Sequence, residues 1–105
     1  MNHLHKLQEW YRSQCDGDWE HGYGVKITTL DNPGWSVSID LVGTAVEEKN
    51  FEPVLYGVGK DAVEGSDEWL SCRVEEKTFE GRGGPQKLEE ILELFLQWTK
   101  GPTSR

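Results

Sequence analysis

Apolar positions along the chain follow a helical period first, then a strand period, then a helical period again. Leu4, Leu7, Trp10 and Tyr11 are spaced by three, three and one, which lays one apolar stripe along a helix over residues 3–14. Asn2 is placed to cap its start, and Cys15-Asp16-Gly17 supplies a stop with Gly17 in the left-handed region. From Tyr23 the period becomes two: Tyr23, Val25, Ile27 and Thr29 alternate with Gly24, Lys26 and Thr28, a half-buried strand. In Asn32-Pro33-Gly34-Trp35, proline presets the first central φ of a turn and glycine is expected to take a positive φ at the second. Trp35, Val37, Ile39 and Leu41 then alternate with Ser36, Ser38 and Asp40, so the two strands should form a hairpin.

Residues 43–52 are polar and read as a loop anchored by Phe51. Val54–Val58 reads as a third strand, placed at an edge by Pro53 and nearby glycines. After a charged loop over 60–68, Trp69–Val74 reads as a fourth, with Leu70, Cys72 and Val74 on one face and Trp69, Ser71 and Arg73 on the other. Gly81-Arg82-Gly83-Gly84-Pro85 breaks the chain and is expected to launch a helix with Pro85 near its first position. Leu88, Ile91, Leu92, Phe95 and Leu96 give that helix a continuous inward stripe, and Lys100-Gly101-Pro102 ends it with a cation, a left-handed cap and a breaker.

Connections this short hold no crossover helix, so the expected fold is α+β: a four-stranded antiparallel sheet with the N- and C-terminal helices packed on one face. Leu7, Trp10, Val25, Ile27, Val37, Ile39, Leu92 and Phe95 should share the core. Lys26, Thr28, Ser36, Ser38, Asp40, Ser71 and Arg73 should line the open face. No internal repeat or linker divides the chain, so residues 1–105 are expected to form a single domain.

Composition adjusts this picture in two ways. The apolar fraction is only 35%, but it includes five Trp, three Tyr and three Phe, each able to bury a large area. No run approaches the ~18 apolar residues of a membrane helix, and the N-terminal segment is amphipathic with mixed charge, unlike an export signal. A cytoplasmic location is therefore expected, with Cys15 and Cys72 as thiols rather than a disulfide. The net charge of −8 is concentrated: residues 16–80 hold 15 acids and five bases, the flanks four acids and six bases. Such a field repels nucleic acid and anionic membrane and attracts a basic partner.

Four constellations have the residue types for chemistry. Cys15-Asp16-Gly17-Asp18-Trp19-Glu20-His21 offers thiolate, carboxylates and imidazole, but no second Cys/His pair stands at metal-finger spacing and the rest of a calcium loop is missing. The segment reads as a turn in which Asp16 or Asp18 accepts backbone N–H groups while Trp19 packs. A nucleophile and base drawn from the same segment lack the separate elements that hydrolytic sites assemble. Cys72 with Lys77 has the ends of a sulfur-transfer loop, yet the residues between alternate as a strand, and Cys72 reads as a small buried apolar residue. Gly81–Gly84 before a helix could cradle a phosphate, but the Lys-Ser/Thr of a P-loop is absent and Glu89 and Glu90 oppose an anion. No catalytic residue, metal ligand or cofactor is expected.

Trp10-Tyr11, Gln14 through His21, Gly24-Val25, Ile27, Thr29 through Trp35 and Ile39-Asp40-Leu41 together resemble the immunity protein 53 family. Trp69, Cys72, Phe79, Gly83-Gly84-Pro85 and Leu88 through Trp98 extend the resemblance over nearly the whole chain. The resemblance implies an antidote that neutralises a bacterial polymorphic toxin by direct binding, with the toxin domain as its protein partner. A basic nuclease would suit the charge. The expected contact surface is the acidic stretch Asp61, Glu64, Asp67 and Glu68 with Trp69 as aromatic anchor, next to the exposed sheet face. The alternative is a small enzyme using Cys72 or the Cys15–His21 cluster.

Overall fold

Asn2 and the apolar stripe behind it start a helix: α1 runs His3–Gln14, with the Asn2 side chain accepting the His5 N–H at 2.9 Å. A computed structural model describes residues 2–101 of the chain. After α1 come a one-turn helix α2 (Trp19–Gly22), strands β1 (Val25–Leu30), β2 (Gly34–Asp40), β3 (Val54–Tyr56), β4 (Leu70–Glu75) and β5 (Thr78–Gly83), and helix α3 (Leu88–Lys100). All strand pairs are antiparallel, in the order β1-β2-β5-β4-β3.

The sheet has five strands where the hydrophobic pattern predicts four. The added strand, β5, lies in the middle and separates β2 from the β4-β3 pair. Its inward positions are Phe79, Gly81 and Gly83, so two of three carry no side chain and the alternation cannot be read as a strand. The turn that precedes it also lacks an Asn-Gly signal. Glu76 (φ 50°) and Lys77 (φ 61°) occupy its two left-handed positions instead. Helix α3 consequently begins at Leu88, three residues after Pro85. Residues 84–87 form a turn closed by Lys87 N–H to the Gly84 carbonyl, and the Pro85 carbonyl accepts the Trp35 indole N–H at 3.0 Å.

Glycines depart from expectation at two more places. Gly34 is not a left-handed turn residue but the first residue of β2. It is needed because a Cβ there would stand 2.4 Å from the Gly83 carbonyl oxygen. Gly101 ends α3 at φ −66°, an extended cap rather than a left-handed one. Lys49 covers that end instead, donating from Nζ to the Trp98 and Gly101 carbonyls. The expected breaker, Pro102, lies outside the described residues.

The register aligns three inward rows across the sheet: Val25, Ile39, Phe79 and Val74; Ile27, Val37, Gly81, Cys72 and Val54; Trp35, Gly83, Leu70 and Tyr56. Leu7 of α1 and Ile91, Leu92, Phe95 and Leu96 of α3 join the same buried cluster, so both helices cover one face. Trp10, Val25 and Ile27 pack half-buried against it, and Phe51 sets its ring edge-on to Phe79 and Trp98 at 5.4 and 5.3 Å. The opposite face is largely polar, with Leu55 of β3 exposed beside Ser71. It shows the expected Lys26, Thr28, Ser36, Ser38, Asp40, Ser71 and Arg73, together with Glu80 and Arg82 of β5, which pair at 3.4 Å.

Candidate functional site

The chain between β3 and β4 is a loop whose two ends are held together, because Tyr56 pairs with Leu70. Glycine makes the neck possible. Gly57 takes φ +70°, and a Cβ on it would fall 2.1 Å from the Glu68 carbonyl oxygen. On the other side a Cβ on Gly84 would fall 2.1 Å from the Asp67 carbonyl oxygen, and the Gly84 N–H donates to the Trp69 carbonyl at 3.1 Å. The loop is thus fixed at its base while its tip, with Gly65 at φ +81°, projects into solvent.

Its side chains separate into three groups. Asp61, at the end of a 3-10 turn (Gly59–Asp61), and Glu64 and Asp67 are exposed, and each keeps its carboxylate free of any ion pair among the described residues. Glu68 differs: its carboxylate pairs with Lys87 Nζ at 2.7 Å. That ammonium is largely covered, lies 5.4 Å from the Tyr56 ring centroid, and has its pKa raised by Glu68 and then by Tyr56. Trp69 is half-buried rather than fully displayed. A Cβ on Gly34 would meet its Cζ2 at 3.2 Å, so the indole rests where that glycine leaves room.

Trp69, Val58, Ala62 and Val63 line a depression of ≈ 360 Å³ between this loop and Asn32 of the β1–β2 turn. Val63 is 69% exposed, the most exposed of the large apolar side chains among the described residues. Of the sequence-predicted residues only Trp69 lines this cavity; Asp61, Glu64 and Asp67 lie on the same loop without lining it, and Glu68 faces Lys87. Val63 and Asn32 were not among the predicted residues. Val63 carries a weak signal, a lone β-branched side chain between Asp61 and Glu64, whereas Asn32 is brought in only by the fold.

The Cys15–His21 segment is occupied with its own backbone. Asp16 accepts the N–H groups of Trp19 and Asp18, both at 2.9 Å, and these hold its carboxyl below the ordinary range. Glu20 accepts those of Asp16 and Gly17 at 3.0 and 2.9 Å, and backbone N–H groups, its own first, lower its pKa too. Trp19 is buried, donates to the Val42 carbonyl at 2.7 Å and meets the rings of Trp10, Tyr11 and Tyr23. Cys15 Sγ donates to the Tyr11 carbonyl at 3.3 Å. Among the described residues no three His, Cys, Asp or Glu side chains converge as a metal cluster.

Cys72 sits in the middle inward row with no exposure, and burial, followed by the nearby Glu90, pushes its thiol up to about 12. A thiol so placed is poorly suited to act as a thiolate nucleophile. Gly81 and Gly83 belong to β5, and the Gly84 N–H is used by the Trp69 carbonyl, so this stretch is sheet and neck rather than an anion cradle. Among known families, the model of immunity protein 53 matches residues 4–100 of the chain. No curated protein matches it, and no solved structure does.

Proposed function

This chain belongs to the immunity protein 53 family, and from that premise we propose that it acts in the bacterial cytoplasm as the antidote of a polymorphic toxin, binding the toxin domain directly and performing no catalysis. The family match over residues 4–100 carries the reading. Charge supports a basic toxin, such as a nuclease, because the net −8 is gathered in the middle of the sequence. The contact surface is the loop after β3. What supports it is a fixed neck, three carboxylates at Asp61, Glu64 and Asp67 without an ion pair among the described residues, and a depression lined by Val63 and Trp69 that could take a partner side chain. Carboxylates at a rim mainly speed encounter, whereas apolar groups that become covered mainly slow departure.

The test is a kinetic one, using as partner the toxin domain that the neighbouring gene is expected to encode. Replacing Asp61, Glu64 and Asp67 by their amides should lower the association rate about tenfold at low salt and flatten its salt dependence. Val63→Ala with Trp69→Ala should instead raise the dissociation rate, once circular dichroism shows that the variant folds. Glu68→Gln should change association least, since its carboxylate already has a partner in Lys87. Absence of binding to that toxin sinks the antidote reading. Tight binding with all these variants unaffected removes the loop while leaving the antidote reading standing.

A further inference from the structure

The two edges of the sheet are unlike. β3 is three residues long and follows Pro53, features that blunt an edge against further pairing. β1 has six residues and no proline, and among the described residues no strand lies beyond it. Its hydrogen-bonding phase can be read from one end. The Asp40 N–H donates to the Gly24 carbonyl at 3.1 Å, so in the alternating antiparallel ladder Gly24, Lys26, Thr28 and Leu30 bond to β2. Val25, Ile27 and Thr29 therefore turn their N–H and C=O groups outward.

The edge strand itself carries no acid, and the Asp40 carboxylate next to its start is taken up by the Gly24 N–H at 2.9 Å. Residues 21–30 contain Lys26 and no carboxylate, in a chain of net charge −8. Leu4, Tyr11 and Tyr23 are exposed nearby, and a depression of ≈ 320 Å³ between α1 and the start of β1 is lined by Leu7, Tyr11 and Val25 among others.

We propose that β1 pairs antiparallel with β1 of a second copy, about a two-fold axis at Ile27, so that two sheets become one. In that register Ile27 faces Ile27, Val25 faces Thr29 and Lys26 faces Thr28 of the other copy. Each outward-turned residue then exchanges hydrogen bonds with an outward-turned partner. Charge selects this occupant. A basic segment is drawn to carboxylates, and the strand Val25–Leu30 itself offers none, the neighbouring Asp40 carboxylate being taken up by the Gly24 N–H. A second copy brings a strand equally without them, and the register sets each Lys26 against a threonine. Sliding the pairing two residues one way puts Lys26 against Lys26, a like-charge pair that destabilises a sheet, and sliding it the other way sets Lys26 against Leu30 and gives up the Val25–Thr29 pairs. Because both copies are acidic elsewhere, the dimer tightens as salt screens their mutual repulsion, the opposite of a contact made by attraction.

Sedimentation equilibrium of the full chain at low and high salt tests this without any toxin, so its failure is separable from failure of the antidote reading. Thr28 is exposed on the open face, so its replacement leaves the core untouched. Thr28→Glu places a carboxylate opposite each Lys26 and should tighten the dimer about threefold to tenfold, while Thr28→Lys should loosen it by a similar factor. Thr28→Glu also makes the chain more acidic, so tightening cannot come from net charge. Thr29→Pro removes one outward N–H and should give monomers with an unchanged circular dichroism spectrum. If that variant misfolds, the opposed Thr28 pair still decides the matter. A parent chain that stays monomeric at every concentration and salt overturns the proposal. So does a dimer that Thr28→Glu weakens or Thr28→Lys strengthens, and so does an edge that pairs only with the toxin.

Discussion

At Gly81 the sheet lies close beneath α3, and Gly81→Ala tests whether packing, rather than turn chemistry, demands a glycine in the hidden strand. A Cβ at residue 81 would stand 2.5 Å from Ile91 Cγ2 and 3.3 Å from both Cys72 Sγ and Phe79 Cε2. Ile91, Cys72 and Phe79 are all without solvent exposure, so none has open space to retreat into. Ordinary carbon contacts lie at ~3.5–4.0 Å, which means that the Ile91 methyl and the helix carrying it must move by about 1 Å. Overpacking of this kind costs about 1–3 kcal/mol, and loss of unfolded-state freedom on replacing glycine returns about 0.4–1 kcal/mol. The net expectation is a loss of about 1–2 kcal/mol, or roughly 5–15 °C in melting temperature for a chain of this size. Urea denaturation should show a lower midpoint with an unchanged slope. Ile91→Leu supplies the control, since leucine has no methyl at the Cγ2 position. In that background Gly81→Ala should cost about 1 kcal/mol less, a coupling that a double-mutant cycle reads directly. An alanine as stable as the parent glycine, or one equally costly in both backgrounds, would refute the reasoning.

Two further outcomes follow from the titrating groups. Cys72, buried and pushed up to about 12, should resist iodoacetamide at mildly alkaline pH while the partly exposed Cys15 reacts, and both should react in denaturant; equal native rates measured by mass spectrometry would count against the buried placement. Asp16 and Glu20 have folded pKa values below their unfolded ones, so the stability they supply is present above the unfolded values of about 4 and is lost as pH falls through the folded values. An acid titration followed by Trp fluorescence should therefore show less loss of stability between neutral and acid pH for the doubly substituted Asp16→Asn, Glu20→Gln chain than for the parent, and an identical acid limb would contradict it.

Much of this protein is determined locally and can be read along the chain. The stripe in α1 with Asn2 as its cap, the alternation in β1 and β2, the edge character of β3 and the inward stripe of α3 all arise from interactions within a few residues. The residue-level resemblance to the immunity protein 53 family was also legible, because strings such as Asp31-Asn32-Pro33-Gly34-Trp35 survive in one dimension. The acidic stretch around Asp61 and Asp67 was visible as composition, but the direction in which each carboxylate points was not. Glu68 looks like its neighbours until Lys87, 19 residues on, is brought to 2.7 Å. The central strand was decided by tertiary structure alone. Thr78–Gly83 has little strand signal of its own, since Gly81 and Gly83 leave its inward side bare. That bareness is what lets Ile91 and Lys87 approach the sheet so closely. The same absence of side chains erases the pattern in the sequence and creates the space into which α3 packs.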